Sequence, residues 1–178
     1  MELTILNTKR LLLRKLTPEV YDHIYKTLSN EEQLQFLGLD SLEELKKEQE
    51  KHQKGLATYN KTFAYFQLID KETQLVIGWC GYHIWYTDHN RAEIGYGLLS
   101  DAYKNKGLMT EALAPIITYG FEKMNLFRIE ALISLENTPS FKLLTKFGFT
   151  QEGLLRNHYL KDGIYEDSAI FSLLKSDY

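Results

Sequence analysis

Between Arg91 and Leu98 the chain alternates, with Ala92, Ile94, Tyr96 and Leu98 on one face and Arg91, Glu93, Gly95 and Gly97 on the other. That period of two predicts a half-buried strand. The period then changes. Leu113, Ile116, Ile117, Gly120, Phe121 and Met124 fall on one stripe at helical spacing, so a helix follows the strand. The same reading divides the rest of the chain. Leu11, Leu12 and Leu13 predict a first strand, ended by Thr17-Pro18, where Thr17 is a candidate cap and Pro18 suits a first helical position. Val20, Tyr21, Ile24, Tyr25 and Leu28 form the apolar stripe of that helix, and a second helical piece spans Glu31 to Leu37, stopping at Gly38. Ser41-Leu42-Glu43-Glu44 reads as a capping box opening a charged helix to about His52, which has few apolar anchors. Phe63 to Ile69 and Leu75 to Ile84 predict a hairpin around Asp70-Lys71-Glu72-Thr73, with a loop over Trp85 to Asn90. Phe127 to Ser134 predicts another strand, and Asn137 to Phe147 a helix with Pro139 in its first turn and Gly148 past its end. Two strands close the chain, Thr150 to Leu160 and Tyr165 to Lys175, joined by Lys161-Asp162-Gly163 with an Asp-Gly hairpin signal. Pro115 fits least. It lies in the second turn if its helix starts near Leu108, which predicts a local bend or a first turn that starts late.

This order of elements predicts an α/β chain with one mixed sheet and helices on its faces. Composition agrees: 178 residues, 44% hydrophobic, suffice for one core, so residues 1–178 are expected to form a single domain. A net charge of −3 with scattered basic residues excludes a nucleic-acid footprint. Cys80 stands alone, so no internal disulfide is expected and a reducing compartment fits. With no apolar run of about 18 residues and no signal-like start, the expectation is a soluble, cytoplasmic protein. His23, His52, His83, His89 and His158 have no metal-ligand spacing, so no metal is expected. His83 and His89 could lie near the mouth of a site, with a structural or surface role as the default, and Trp79, Tyr82, Trp85 and Tyr86 read mainly as packing.

The candidate chemistry sits between the alternating strand and its helix. In Tyr103-Lys104-Asn105-Lys106-Gly107-Leu108-Met109-Thr110, Gly107 allows close backbone approach, and the first helical turn leaves N–H groups unpaired beside Lys104 and Lys106. Such a site favours a phosphorylated ligand. The P-loop pattern is absent, and the dinucleotide pattern fails because Ser100 stands where its third Gly is needed.

The stretch K-N-K-G-L-M-T-E-A resembles the pyrophosphate loop of the GNAT acetyltransferases, written [RQ]-x-x-G-x-[GA], with Lys104 in place of Arg or Gln and Met109 in place of Gly or Ala. T-K-R-L-L-L-R from Thr8 and N-T-P-S-F-K-L-L-T-K-F-G-F-T-Q-E-G from Asn137 resemble the RimJ/RimL branch, typified by ribosomal-protein N-terminal acetyltransferases. The resemblance implies a mostly antiparallel sheet of about seven strands flanked by helices, with the central and fifth strands splayed apart. It implies acetyl-CoA as donor, its pantetheine arm beside Ile94, Tyr96 and Leu98 and its pyrophosphate gripped by Lys104, Asn105, Lys106, Gly107, Leu108, Met109 and Thr110. Asn137 matches the residue that bonds the pantetheine arm, and Ser140 the serine proposed to protonate the thiolate. Plain helix capping is the other reading of the Asn137-x-Pro-Ser start. Glu93 is the general-base candidate, direct or through water, unless it merely lines a solvated strand face. The implied reaction is direct acetyl transfer to a primary amine, foremost a protein N-terminal α-amine. Alternatives are a small amine (polyamine, amino sugar or antibiotic) and a non-catalytic acyl-CoA sensor. The expected assembly is a monomer or homodimer.

Overall fold

The computed structural model describes residues 3–55, 57–58 and 60–178. Among them, eight strands form one sheet: β1 (Ile5–Asn7), β2 (Leu11–Leu16), β3 (Lys61–Asp70), β4 (Val76–Tyr86), β5 (Arg91–Leu98), β6 (Arg128–Ser134), β7 (Thr150–Lys161) and β8 (Ile164–Leu174). Five α-helices accompany it: α1 (Pro18–Thr27), α2 (Asn30–Leu37), α3 (Leu42–Gln53), α4 (Leu108–Glu122) and α5 (Thr138–Lys146). The spatial order is β1-β2-β3-β4-β5-β6-β8-β7. Neighbours pair antiparallel except β5 and β6, which run parallel and pair only at Arg91↔Arg128, Ala92↔Ile129 and Glu93↔Glu130. Beyond Glu93 the two strands part, and the sheet forks there. The sheet therefore has one strand more than the seven expected; β1 is a three-residue edge strand too short to carry a period of its own.

The expected stripe on α4 is the stripe that is buried: Leu113, Ile116, Ile117, Gly120, Phe121 and Met124 all face the core. Each large side chain removed from water there contributes roughly 1.5–3 kcal/mol. Gly120 has no side chain because Tyr82 of β4 lies against it and donates its hydroxyl to the Ile116 carbonyl at 2.8 Å. Pro115 does not delay the helix. The Glu111 N–H already reaches the Gly107 carbonyl at 3.0 Å, and α4 runs unbroken through Pro115 to Glu122. A second, smaller core of Leu16, Val20, Ile24, Leu37 and Leu45 seats α1, α2 and α3. Here the caps differ from expectation. Thr17 occupies the cap position of α1 without a side-chain cap bond, and the complete capping box is at Ser29 and Glu32. At α3, Ser41 accepts from the Glu44 N–H, but the Glu44 carboxylate reaches one residue further back, to the Asp40 N–H. Asp162 and Gly163 both have positive φ (49° and 82°), as the β7–β8 hairpin turn requires.

Candidate active site

The fork places the site. Past Glu93, β5 keeps β4 on one edge, while its other edge opens into a cavity of about 460 Å³ between the N-terminal ends of α4 and α5. Tyr96, Leu98, Lys104, Asn105, Gly107, Leu108, Met109, Thr110, Asn137 and Ser140 all line it, so most of the expected binding residues converge. Two do not. Ile94 is 3% exposed with its side chain in the core, so only its backbone can face the gap, and the Lys106 side chain is outside the lining.

The loop before α4 is held in shape from a distance in sequence. Asn105 and Gly107 adopt left-handed conformations (φ 58° and 73°), which turn the backbone into α4, whose first residues Leu108, Met109 and Thr110 line the cavity. The Lys106 carbonyl accepts from the Arg10 guanidinium at 3.0 Å. The Glu111 carboxylate accepts from Thr8 Oγ1 at 2.6 Å, the Arg10 N–H at 2.6 Å and Arg10 Nε at 2.7 Å. Burial pushes the Glu111 carboxyl up, but those bonds outweigh it and the net shift is down. Thr8 and Arg10 belong to the T-K-R-L-L-L-R stretch, and their task is now visible: they brace the loop. Lys104 Nζ pairs with Asp101 at 2.5 Å on the exposed rim.

At the other end of the cavity, Asn137 Oδ1 accepts from the Ser140 N–H at 3.1 Å, so the capping reading of Asn137 holds, and the residue lines the cavity as well. Ser140 is buried. Close to it, the Tyr96 hydroxyl is buried beside Ser140 but makes no hydrogen bond of normal geometry; burial pushes this phenol up, with the nearby Ser140 hydroxyl pulling the other way, so it stays protonated. A hydroxyl left without a partner at a cavity wall suits a ligand that would bond it. Together the cavity, the left-handed loop and the two helix starts offer one continuous recess with polar groups from Tyr96, Asn137 and Ser140 along its wall.

On the opposite face of β5 the side chains differ. Glu93 is 14% exposed and lies 3.0 Å from His83 Nε2, so it does not line a solvated face. Gly95 and Gly97 leave room for the Trp79 and His83 rings, which lie across them. Trp79 meets Tyr65 edge to face at 5.4 Å, and the aromatic series continues through Phe63 to Tyr21 and Tyr25. A second cavity of about 340 Å³ runs along this face, lined by Tyr21, Glu48, Tyr65 and Trp79 among others. Burial, then the charges of Glu48 and Glu93, push the Tyr65 phenol up. Cys80 is wholly buried, with its thiol pushed up by burial, and is no nucleophile. Lys142 and Lys146 lie exposed on α5.

Comparison with known proteins decides the family. The model of the acetyltransferase (GNAT) domain matches residues 10–150. The chain belongs to the GNAT acetyltransferases. An uncharacterized N-acetyltransferase of Bacillus subtilis (strain 168), YoaA, is 33% identical over 96% of this chain and 97% of its own. Among solved structures, the ribosomal-protein-S5-alanine acetyltransferase of Vibrio fischeri superposes with a TM-score of 0.68 at 23% identity, covering 98% of both chains. The spermidine/spermine N-acetyltransferase SpeG of Vibrio cholerae gives 0.67 at 24%, covering 95% of each. These two likenesses establish the fold. The GNAT chain described here is accordingly an acyltransferase of the kind that uses acetyl-CoA. Among its described residues, no helix is long and apolar enough to cross a membrane. Nor do these residues group three or more His, Cys, Asp or Glu side chains as a metal site.

Proposed function

We propose that residues 1–178 act as one catalytic unit in the cytoplasm, passing an acetyl group directly from acetyl-CoA to the α-amine of a protein N-terminus. One observation carries this reading. At the fork, a single strand presents a ligand cavity beside Tyr96 and Leu98 and, on its other face, the Glu93 carboxylate under an aromatic roof. Donor and acceptor can thus meet across β5 without a covalent enzyme intermediate, and buried Cys80 is not called upon. Lys104, Asn105, Gly107, Leu108, Met109 and Thr110 would hold the pyrophosphate, Asn137 the arm, and Ser140 would give a proton to the departing sulfur. When bound, acetyl-CoA supplies the activated acyl group.

The α-amine is favoured over a lysine-like amine on energy. At pH 7 a pKa near 7.8 costs about 1 kcal/mol to deprotonate, one near 10.4 about 4–5 kcal/mol. A small polyamine is the second reading, because a chamber walled by Tyr21, Tyr65 and Trp79 with Glu48 and Glu93 nearby suits an organic cation. Relatives' names point both ways, to ribosomal proteins and to spermidine. The test is thiol release from acetyl-CoA with N-terminal peptides, polyamines and aminoglycosides offered separately. Release with peptides is the expected result; release with polyamines alone would install the second reading. Saturable acetyl-CoA binding with no release for any of these amines would overturn both acceptor readings and leave a sensor or an acceptor outside the panel.

A further inference from the structure

β4 contains one residue more than its neighbours need. Against β5, Tyr82 pairs with Ile94 and Ile84 with Glu93, leaving His83 as the extra residue. Against β3, Tyr82 pairs with Ala64 and Trp85 with Thr62, so the irregularity falls at the same place from both sides. A bulge of this kind bends the strand and re-aims the side chain it carries. Here it turns the imidazole over Gly95, where a Cβ would stand 2.9 Å from Nδ1, and brings Nε2 to within 3.0 Å of Glu93 Oε1. Any side chain at position 95 would push the ring away.

An ionised carboxylate accepts only, so Nε2 carries the proton and donates it to Glu93, and in the neutral ring Nδ1 is left with a lone pair. That nitrogen is buried and has no hydrogen-bond partner among the described residues. An acceptor left so is destabilising, a cost removed when a donor arrives. A small cavity of about 220 Å³ on the β3 side is lined by Thr58, Lys61, Thr62 and Ile84 together with His83.

We infer that His83 is the group that takes the proton from the acceptor amine, and that Glu93 is the positioning residue fixing its tautomer. This inference rests on the transferase reading above and revises the role of Glu93 within it. The balance is simple. The ammonium gives one proton to Nδ1; its freed lone pair forms the N–C bond while the C–S pair leaves with sulfur. Ser140 gives its hydroxyl proton to that sulfur and recovers one from the acylated nitrogen, which sheds its second proton, and the imidazolium returns its proton to water. The charged and titratable groups around the pair are Glu130 on β6, directly across from Glu93, with its partner Arg91 on β5; Lys61 on β3 in the small cavity; and Tyr65 on β3 and Tyr159 on β7, whose phenols both feel the Glu93 charge.

The test compares wild type with His83→Gln and Glu93→Gln. Nitrogen-15 correlation spectra of the imidazoles, recorded without any ligand, should show the Nε2–H tautomer for His83, and Glu93→Gln, whose amide can accept from the ring or donate to it, should weaken that preference. In His83→Gln, kcat/KM should fall about 100-fold at neutral pH and the acid limb of its pH profile should vanish. Acetyl-CoA affinity by calorimetry should stay within twofold. An Nδ1–H tautomer, a loss below threefold, or a loss of equal factor at every pH with the limb intact would overturn the inference alone. Failure of the wild type to bind acetyl-CoA would instead sink the transferase reading and this inference with it.

Discussion

Glu111→Ala tests whether the brace behind the loop before α4 works as described. The carboxylate accepts three bonds, from Thr8 Oγ1, the Arg10 N–H and Arg10 Nε, and its side chain is 17% exposed. Charge-assisted bonds are worth roughly 1.5–3 kcal/mol where water is excluded. The Arg10 side chain is 43% exposed, so water can replace part of what is lost, and about 1 kcal/mol per bond is the fairer figure. Loss of an acidic group from the first turn of α4 adds about 0.5 kcal/mol through the helix dipole, and alanine's helix propensity returns about the same. The net expectation is a destabilisation of about 3 kcal/mol, a fall in Tm of roughly 6–12 °C for a chain of this size. The same carboxylate holds Arg10, and Arg10 holds the Lys106 carbonyl, so the loop loosens with it. Acetyl-CoA affinity should fall several-fold, with kcat at saturating donor nearly kept. Thermal unfolding and calorimetry on one preparation decide the matter. A Tm within 2 °C of wild type and an unchanged Kd would refute the brace; a stability loss without an affinity loss would refute its link to the loop.

Three further outcomes follow from single contacts. Gly107→Ala keeps ample room, since the nearest atom to the new Cβ is 3.8 Å away, but puts a side chain at φ 73°; it should cost about 1–2 kcal/mol by denaturant titration and weaken acetyl-CoA, and Gly107→Asn should cost less. Gly120→Ala would place a Cβ 2.1 Å from the Tyr82 hydroxyl; the Tyr82–Ile116 bond must break or α4 must move, for about 2–4 kcal/mol, whereas Tyr82→Phe alone should cost about 1 kcal/mol. Glu152, bonded by Arg128 and then by Ser172, has its carboxyl lowered to about 2. A carboxyl lowered in the folded state stabilises above its unfolded value, near 4.3, and that contribution disappears as pH falls towards 2. Glu152→Gln should thus be less stable than wild type at pH 7, by about 1 kcal/mol once its 39% exposure is allowed for, and the two unfolding curves should converge near pH 2.

The sequence pattern was readable where one element decides its own burial. The alternation of Arg91–Leu98 and the stripe of α4 needed no partner to be seen, and the loop between them carried its own chemistry in Gly107. Legibility failed where the cause was remote. The brace joins Arg10 to Glu111, 101 positions apart, and neither residue's spacing announces the other. The bulge at His83 was hidden for a different reason: Val76 to Tyr86 is apolar or aromatic on both faces, so the stretch has no alternation for an extra residue to interrupt. Ser29 and Glu32 form a complete capping box in plain view, yet the eye goes to Ser41 and Glu44, where the carboxylate slips to Asp40. Nor does period-two burial tell a parallel neighbour from an antiparallel one, so the short β5–β6 pairing, which makes the fork, came only from the resemblance.

That fork yields the last prediction. β5 and β6 are locked at their base by ions: Arg91 binds Glu130 at 2.6 Å, and Arg128 binds Glu130 at 2.8 Å and Glu152 at 2.5 Å. Above this clasp their pairing ends, so β5 keeps a row of backbone donors and acceptors towards the cavity that no strand satisfies. An unpaired strand edge is a template for any extended, amide-bearing ligand. If the arm of acetyl-CoA lies there, amide exchange should slow on binding at the cavity-facing positions of residues 94–98 and in the first turn of α4, while Arg91–Glu93, already paired, should change little. Exchange with mass spectrometry after brief deuteration, with and without acetyl-CoA, reads both segments at once. Protection confined to α4 would mean that the nucleotide end binds while the arm lies elsewhere, and the reading in which donor and acceptor meet across β5 would lose its geometry.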